Sequence, residues 1–214
     1  MSYINSDQIK TAILNKKINI DPYFEEFQGP NLYYCHLGNS FLIPKKIKEP
    51  ADPFKNSDRY FKRIENCSKS IIIRPKEFIL AETFELFSTG NEYIIRLFNS
   101  SSLARLGISH CAIGMINPGC GQDKPIRLTL ELVNNSPFPI ILQPTVILNN
   151  KIKILGTEVL KIGVLKMSKS VAKSYSSWGM SLYGQDDKVS NSKMDKRYKN
   201  LKELCIPSKS IIFK

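Results

Sequence analysis

Short apolar runs separated by turn residues make up most of the chain between residues 71 and 167. The runs are rich in Ile, Leu and Phe, and they occupy residues 71–73, 78–87, 93–98, 127–133, 140–142, 152–155 and 159–167. The turn sequences between them are rich in Gly, Pro and Asn, as at residues 89–91, 117–119 and 149–150. Many short strands with regular turns are typical of an all-β barrel or sandwich. We therefore predict a mainly β fold.

The N-terminus predicts a short helix, because apolar residues recur there at helical spacing. These residues are Ile9, Ala12 and Ile13. Ser6 or Asp7 can cap the helix, and the basic residues within 15–17 suit its C-terminal end. Residues 44–58 contain three prolines and many charges, which predict a surface loop.

The segment after residue 167 has a different composition, rich in Ser, Lys, Asp, Gly and Asn with isolated aromatic residues. It has too few apolar side chains to bury much surface. We therefore divide the chain into a β domain at 1–167 and a polar C-terminal tail or lid at 168–214. We expect this tail to be mobile without a ligand and to order over one.

The chain of 214 residues is basic, with 31 Lys and Arg against 19 Asp and Glu and a net charge of +12. This charge favours polyanionic partners such as a nucleotide phosphate group, an acidic membrane surface or nucleic acid. The basic residues are spread along the chain, so a lysine-rich solvated surface explains them equally well.

The sequence also bears on the compartment. No apolar run approaches the ~20 residues that cross a bilayer, and the first residues lack the basic and apolar regions of a secretory signal. Five cysteines occur without CxxC spacing, which suggests free thiols in a reducing compartment. We therefore expect a cytoplasmic protein with no membrane partner.

Three motifs in the middle of the chain resemble those of one enzyme family. Residues 101–107 read SSLARLG, residues 116–119 read INPG, and residues 128–134 read LTLELVN. Weaker matches surround them in the same order, at residues 18–22, 36–41 (a turn in the family), 72–78, 197–201 and 207–209. With these motifs the chain resembles the dCTP deaminase branch of the dUTPase superfamily. The resemblance covers most of the chain, and SSLARLG is its most specific part.

The resemblance implies a dUTPase-like distorted jelly-roll (β-clip) barrel with a short N-terminal helix and a flexible C-terminal lid. It also implies a homotrimer whose active sites are shared between subunits. The expected ligands are dCTP or dUTP, and nucleic acid is not an expected partner. Two insertions relative to the family, near 121–125 and 147–155, have no assigned role.

Glu131 is the residue to which the resemblance assigns the chemistry. Apolar residues alternate along its strand, at Ile126, Leu128, Leu130 and Leu132. The period of two turns these residues toward the core and Glu131 toward the opposite face. Without the resemblance, Glu131 reads as an ordinary solvent-facing carboxylate. With it, Glu131 is the general base and acid that activates a water to attack C4 of cytosine, and a dry pocket should raise its pKa.

Hydroxyl and guanidinium donors lie together in one short segment, at Ser100, Ser101, Ser102 and Arg105. Such donors suit a triphosphate. The alternative is a polar loop between strands with Arg105 in a surface ion pair. The resemblance puts the segment in the nucleotide pocket across a subunit boundary, with the hydroxyls on phosphate. It makes Arg105 a second catalytic residue, which sets the electrostatics beside the reacting base.

Four further residues are expected to bind substrate, namely Asn117, Tyr183, Arg197 and Tyr198. Asn117 resembles the position of an aspartate that meets the deoxyribose, and its amide keeps an oxygen acceptor but not the charge. Its alternative role is to form the turn before Pro118. The three tail residues would stack on or clamp the substrate, or else they are incidental residues of a disordered tail.

No zinc site is expected, and no metal ligand from the chain. The sequence lacks the His-x-Glu and Pro-Cys-x-x-Cys motifs of zinc deaminases. The adjacent pairs at 35–36 and 110–111 would point to opposite faces of a strand and could not easily chelate one ion. Mg²⁺ is expected only as a partner of the substrate triphosphate.

Three positions depart from the family pattern at the expected site. Ser100 stands where the family has an arginine, Asn117 where it has an aspartate, and Leu201 where it has a lid glutamine. Deamination of dCTP to dUTP and ammonia is the leading hypothesis, since Glu131 and Arg105 are both present. The alternatives are a non-catalytic nucleotide-binding homologue, a bifunctional enzyme that gives dUMP and pyrophosphate, and a nucleic-acid binder.

Overall fold

The computed structural model describes residues 1–179 and 181–199, in which the chain forms fifteen strands and three α-helices. The strands are β1 (Ser2–Tyr3), β2 (Ile18–Asp21), β3 (Tyr33–Pro44), β4 (Phe61–Ile64), β5 (Ile71–Ile73), β6 (Phe78–Thr83), β7 (Leu86–Thr89), β8 (Tyr93–Asn99), β9 (Ile108–His110), β10 (Met115–Ile116), β11 (Thr129–Asn134), β12 (Ile140–Leu142), β13 (Val146–Leu148), β14 (Lys151–Ile154) and β15 (Glu158–Lys166). The helices are α1 (Ser6–Leu14), α2 (Ser101–Leu106) and α3 (Met194–Lys199). The predicted mainly β fold is confirmed. None of these three helices has the length and apolar character needed to cross a membrane.

One curled antiparallel sheet forms the body of the protein. Its strand order is β10-β8-β15-β3-β6-β11-β9, with β1 added to β15 and β4 added to β3. Three two-stranded sheets in the described chain, β2–β7, β5–β12 and β13–β14, surround it. The main core is built on the central strands β3, β6 and β15, where most residues are buried, whereas alternate residues are buried on β11.

The long strand β3 joins the two halves of the sheet. Its first half pairs with β15, and its second half pairs with β4 and β6. The register with β6 shifts between Leu37 and Phe41. Such irregularities bend a strand and increase its twist. Residues 36–41, which resemble a turn of the family, therefore form an irregular stretch inside a strand.

The apolar run at 78–87 forms two strands, β6 and β7, instead of one. Glu85 lies between them and is fully buried. Its carboxylate accepts the backbone N–H of His36 at 2.9 Å and lies 2.7 Å from His36 Nδ1. A buried carboxyl needs such partners, and the break between β6 and β7 lies at this contact.

Helix α1 begins with Asn5 as its cap instead of the predicted Ser6 or Asp7. The Asn5 side chain accepts the backbone N–H of Gln8, and the Gln8 side chain accepts the backbone N–H of Asn5, both at 3.0 Å. This reciprocal capping box satisfies two backbone donors at once, which explains why Asn5 is preferred over its neighbours.

The second of the two insertions forms the hairpin β13–β14 over most of its length. Its turn residues, Asn149 and Asn150, have φ values of 51° and 59°. Positive φ at both central residues is the geometry of a two-residue hairpin turn, and Asn tolerates it better than most residues.

Candidate active site

Strand β11 carries Glu131 on the face opposite the main core. Leu130 and Leu132 are buried in that core, as the alternation predicts, while Glu131 is half-buried. The Glu131 carbonyl accepts the N–H of Cys111 at 2.8 Å, and on the other side Leu80 of β6 pairs with Glu131. Glu131 is therefore held between two neighbouring segments in the interior of the sheet, and its position is well fixed.

A cavity of about 520 Å³ lies over this face of β6 and β11. Apolar side chains form much of its wall, among them Phe61, Phe78, Leu80, Leu128 and Tyr175. Polar groups converge on it from several segments, among them Asn117, Arg127, Thr129, Glu131, Tyr183 and Asp186. A largely apolar cleft with a few converging polar groups is the usual form of a small-molecule site.

The wall of this cavity keeps the Glu131 carboxyl partly dry. Burial raises the pKa of Glu131 above the usual 4.5, and the residue's own backbone N–H opposes part of that shift. The direction agrees with the one expected from the sequence. A carboxyl with a raised pKa is suited to exchanging protons near neutral pH, as general acid–base catalysis requires.

Asn117 faces the same cavity from the turn that follows β10. Its carbonyl accepts the N–H of Cys120 at 3.1 Å and the hydroxyl of Thr89 at 2.6 Å. Gly119 within the turn has a φ of 74°, a left-handed value that glycine adopts without strain. Asn117 thus forms a turn and also lines the cavity, and its contact with a sugar stays a prediction.

Part of the tail packs over the cavity. Tyr175 packs against the main core, and Val189 is only 1% exposed. The carbonyl of Asp186 accepts the backbone N–H of Arg127 at 2.8 Å. The low apolar content of the tail did not predict this docking, which depends on backbone hydrogen bonds to the sheet as well as on buried side chains.

Two of the tail residues singled out in the sequence, Tyr183 and Arg197, have described side chains. Tyr183 lines the cavity, and its hydroxyl accepts the backbone N–H of Lys193 at 3.1 Å. Arg197 is half-buried, and its Nε has no hydrogen-bond partner among the described residues. The side chain of Tyr198 and the whole of Leu201 lie outside the described residues.

The serine-rich segment forms helix α2 rather than a loop. Leu103 anchors the helix in the core, and Gly107 ends it with a left-handed φ of 100°. Ser100 is buried, and its hydroxyl donates to Glu158 Oε1 at 2.9 Å. The Ser100 hydroxyl is therefore already engaged by its own chain.

The outer face of α2 exposes the other expected phosphate-binding groups. Ser101, Ser102 and Arg105 are exposed, and Lys161 Nζ lies 3.5 Å from Ser101 Oγ. In the described part of the chain, none of the residues that line the cavity comes from α2. The structure thus brings Glu131, Asn117 and Tyr183 together and leaves Arg105 on a separate surface.

Arg127 and Asp186 line the cavity, although the sequence did not single them out. The Arg127 guanidinium donates to two backbone carbonyls at the end of β6. Asp186 pairs with Lys193 through Oδ1, and its Oδ2 is buried without a partner among the described residues. Arg127 precedes β11 in the same alternation that includes Glu131, so that pattern could have identified it, but no sequence signal marks Asp186.

The described residues contain no group of three or more His, Cys, Asp or Glu side chains that could hold a metal ion. Both histidines contact other groups of the chain. His36 lies against Glu85, and His110 Nε2 lies 3.0 Å from the carbonyl oxygen of Val159.

Comparison with known proteins gives consistent matches. A family model described as dCTP deaminase-like matches residues 3–150. A protein named "dCTP deaminase, dUMP-forming" from Methanopyrus kandleri is 31% identical over 202 residues, covering 91% of this chain and 96% of that protein. A protein of the same name from Thermobifida fusca is 32% identical over 144 residues, covering 66% of this chain and 71% of that protein.

A solved structure shares the fold. The crystal structure of 2′-deoxycytidine 5′-triphosphate deaminase from Agrobacterium tumefaciens matches with a TM-score of 0.54 at 14% identity. The match covers 76% of this chain and 47% of that one. The predicted dUTPase-like fold of this superfamily is confirmed.

Proposed function

Because this chain belongs to the dCTP deaminase-like family, we propose that it deaminates dCTP, with Glu131 as the acid–base residue. The observation that carries the proposal is the place of Glu131 in the wall of the cavity, where burial raises its pKa. A volume of about 520 Å³ lies within the range of small-molecule sites.

In this reaction Glu131 first accepts a proton and then donates it. As a carboxylate, Glu131 takes a proton from a water while the water oxygen bonds to C4 of cytosine. The attack shifts the C4=N3 bonding electrons to N3. Glu131 then gives that proton to the exocyclic amino group, the C4–N bond breaks and ammonia leaves, while the second proton of the water passes to N3 and the oxygen stays on C4 as a carbonyl. Both steps use the same residue, so its pKa has to lie nearer neutrality than that of an ordinary glutamate, and the upward shift supports this.

We further propose that the final product is dUMP instead of the dUTP expected from the sequence. A second water attacks the α-phosphorus, and pyrophosphate leaves with the bridging oxygen. The sum is dCTP and two waters going to dUMP, ammonia and pyrophosphate. The names of the relatives, "dUMP-forming", support this product. A non-catalytic nucleotide binder is the alternative, because Ser100 and Asn117 depart from the family pattern.

The triphosphate is proposed to lie between two copies of the chain. Ser101, Ser102 and Arg105 are exposed and separate from the cavity of their own chain, and Lys161 adds a second positive charge beside them. These groups suit the phosphates of a nucleotide whose base lies in a neighbouring subunit's cavity. We therefore propose a homotrimer with shared sites, in which Asn117, Tyr183 and Arg197 contact the nucleotide from the cavity side.

Mg²⁺ is proposed to enter with the triphosphate. This ion usually keeps several waters and binds through substrate phosphates. The described residues contain no cluster that would hold it alone, so the phosphates would supply its main ligands. Four cysteines of the described chain are free thiols, which supports a reducing compartment such as the cytoplasm.

Product analysis tests the function directly. Purified protein is incubated with dCTP and Mg²⁺, ammonia is quantified, and the nucleotides are separated. The proposal predicts equal amounts of ammonia, dUMP and pyrophosphate. Accumulation of dUTP would limit the activity to deamination, and no ammonia from protein that binds dCTP would establish the non-catalytic alternative.

A further inference from the structure

One segment of the tail, residues 186–192, crosses the cavity face of the sheet, and we call it the strap. Four of its residues line the cavity, namely Asp186, Ser190, Asn191 and Ser192. The strap is therefore one wall of the pocket that contains Glu131. Anything that fixes the strap also fixes the width of this pocket.

Two side chains of the sheet hold consecutive N–H groups of the strap. Glu82 Oε2 accepts the N–H of Val189 at 2.7 Å, and Thr129 Oγ1 accepts the N–H of Ser190 at 3.0 Å. Glu82 and Thr129 are directly opposite each other on β6 and β11. The two side chains therefore bind the strap from adjacent positions on neighbouring strands, and we call the pair Glu82 and Thr129 the clamp.

The clamp lies beside the proposed catalytic residue. The next cross-strand pair on the same face is Leu80 opposite Glu131, two residues along each strand. Two residues of a strand span about 7 Å, so the strap is fixed within reach of the Glu131 carboxyl. Leu80 also packs with Val189 in a small apolar cluster, which closes the space between clamp and catalytic residue.

Glu82 is an unusual residue for its position. It is 3% exposed, and a Cβ on the facing Gly38 would lie 2.6 Å from Glu82 Cγ, so only glycine leaves it room. Burial raises the pKa of Glu82, while the Val189 N–H, the Ser40 hydroxyl and the charges of Arg127 and Lys188 oppose that shift. A buried carboxyl is costly unless its acceptors are filled, and the strap fills one of them.

We propose that Glu82 is a positioning residue, which with Thr129 clamps the strap as a wall of the pocket and so shields Glu131 from bulk solvent. The inference rests on the proposed function only where it gives Glu131 a catalytic role. The clamp itself is a property of the folded chain, and it is independent of the helix α2 groups.

Amide exchange tests the clamp without any substrate. The exchange rates of the Val189 and Ser190 amides are measured by NMR in the wild type, in E82A and in E82Q. In E82A both rates should rise by about tenfold or more, because a buried hydrogen bond that holds the strap is lost. In E82Q the rates should stay closer to wild type, since the Gln oxygen still accepts the Val189 N–H. E26A is the matched control, because Glu26 is an exposed glutamate of another segment.

Two further measurements separate positioning from general stability. In E82A the pKa of the Glu131 carboxyl, read from its side-chain carbon shift, should fall toward the usual 4.5. T129V keeps the shape of the side chain, so it serves if E82A does not fold, and it should speed exchange at Ser190 more than at Val189.

The outcomes distinguish this inference from the proposed function. Unchanged exchange at Val189 and Ser190 in a folded E82A protein would overturn the clamp, and so would an E82Q protein as perturbed as E82A. In T129V, an equal acceleration of exchange at the Val189 and Ser190 amides, relative to wild type, would also overturn the clamp. If the wild type does not turn over dCTP, the proposed function fails while these exchange results still decide the clamp.

Discussion

Two regions of the molecule differ in how far one chain forms a binding site by itself. They are the cavity over β6 and β11 and the outer face of α2. Around Glu131, two strands, the turn at Asn117 and the docked tail close a pocket, and burial raises the pKa of the carboxyl. On α2, by contrast, Arg105 and the neighbouring serines are exposed. The first region is a pocket formed within one chain, whereas the second is an exposed surface with hydrogen-bond donors for an anion.

This difference suggests how the work of a shared site is divided. The proton chemistry needs a dry, fixed carboxyl, which one chain supplies by burying Glu131 within its own sheet. A charged triphosphate needs exposed cations that approach it from outside, and in the proposed trimer a second chain would supply them on α2. Predictions that separate these two contributions therefore test the account.

The largest effect is expected at Glu131. Glu131→Gln keeps the shape of the side chain but removes the base, so deamination of dCTP should fall by roughly 10² to 10⁴. The affinity for dCTP should stay within a few-fold, because the buried leucines of β11 preserve the fold. Ammonia release and calorimetry measure the two quantities, with E26Q as a control. A variant that deaminates at the wild-type rate would remove Glu131 from the mechanism.

A smaller effect is expected at Arg105. Arg105→Ala removes an exposed cation, so kcat/KM for dCTP should fall roughly 10- to 100-fold, the cost of a charge-assisted hydrogen bond. The melting temperature should stay near wild type, because the Arg105 side chain is exposed. Arg74→Ala is the matched control, since Arg74 is exposed on the turn before β6. Equal kinetics for the two variants would contradict a phosphate role for α2.

The smallest effect is a displaced pH profile. As the pH falls, kcat/KM should decline through the pKa of Glu131, so the acidic limb should lie above the usual 4.5. Because the folded-state pKa is raised, the protonated form favours folding, and this contribution is lost as the pH rises through that pKa. E131Q should therefore be as stable as wild type or slightly more stable at neutral pH. An acidic limb at or below 4.5 would contradict the dry environment.

Local patterns predicted the cavity side of the molecule well. The alternation of apolar residues along β11 predicted which face carries Glu131, and the same pattern places Thr129 on that face. The turn at Asn117 followed from Pro118 and Gly119. These features depend on residues that are neighbours in the sequence, so they can be predicted from one sequence.

Contacts between distant residues escaped prediction. The sequence around Glu82 contains no signal that its carboxyl accepts the N–H of Val189, which is more than a hundred residues away. Likewise, the contact of Glu85 with the distant His36 lies at the break in a predicted strand. The separation of α2 from the cavity depends on the path of the sheet, and no local period encodes that path.

Mixing two impaired variants tests the central claim that the cavity of one subunit works with α2 of another. E131Q and R105A proteins are combined under conditions of subunit exchange, and dCTP deamination is measured. Each restored site takes its cavity from an R105A chain and its α2 from an E131Q chain. With random mixing of equal amounts, about a quarter of the sites should be intact. Mixing E131Q with the E131Q/R105A double variant is the control and should restore nothing. If exchange is verified and the first mixture is no more active than its two components measured separately, then the two regions do not form a shared site.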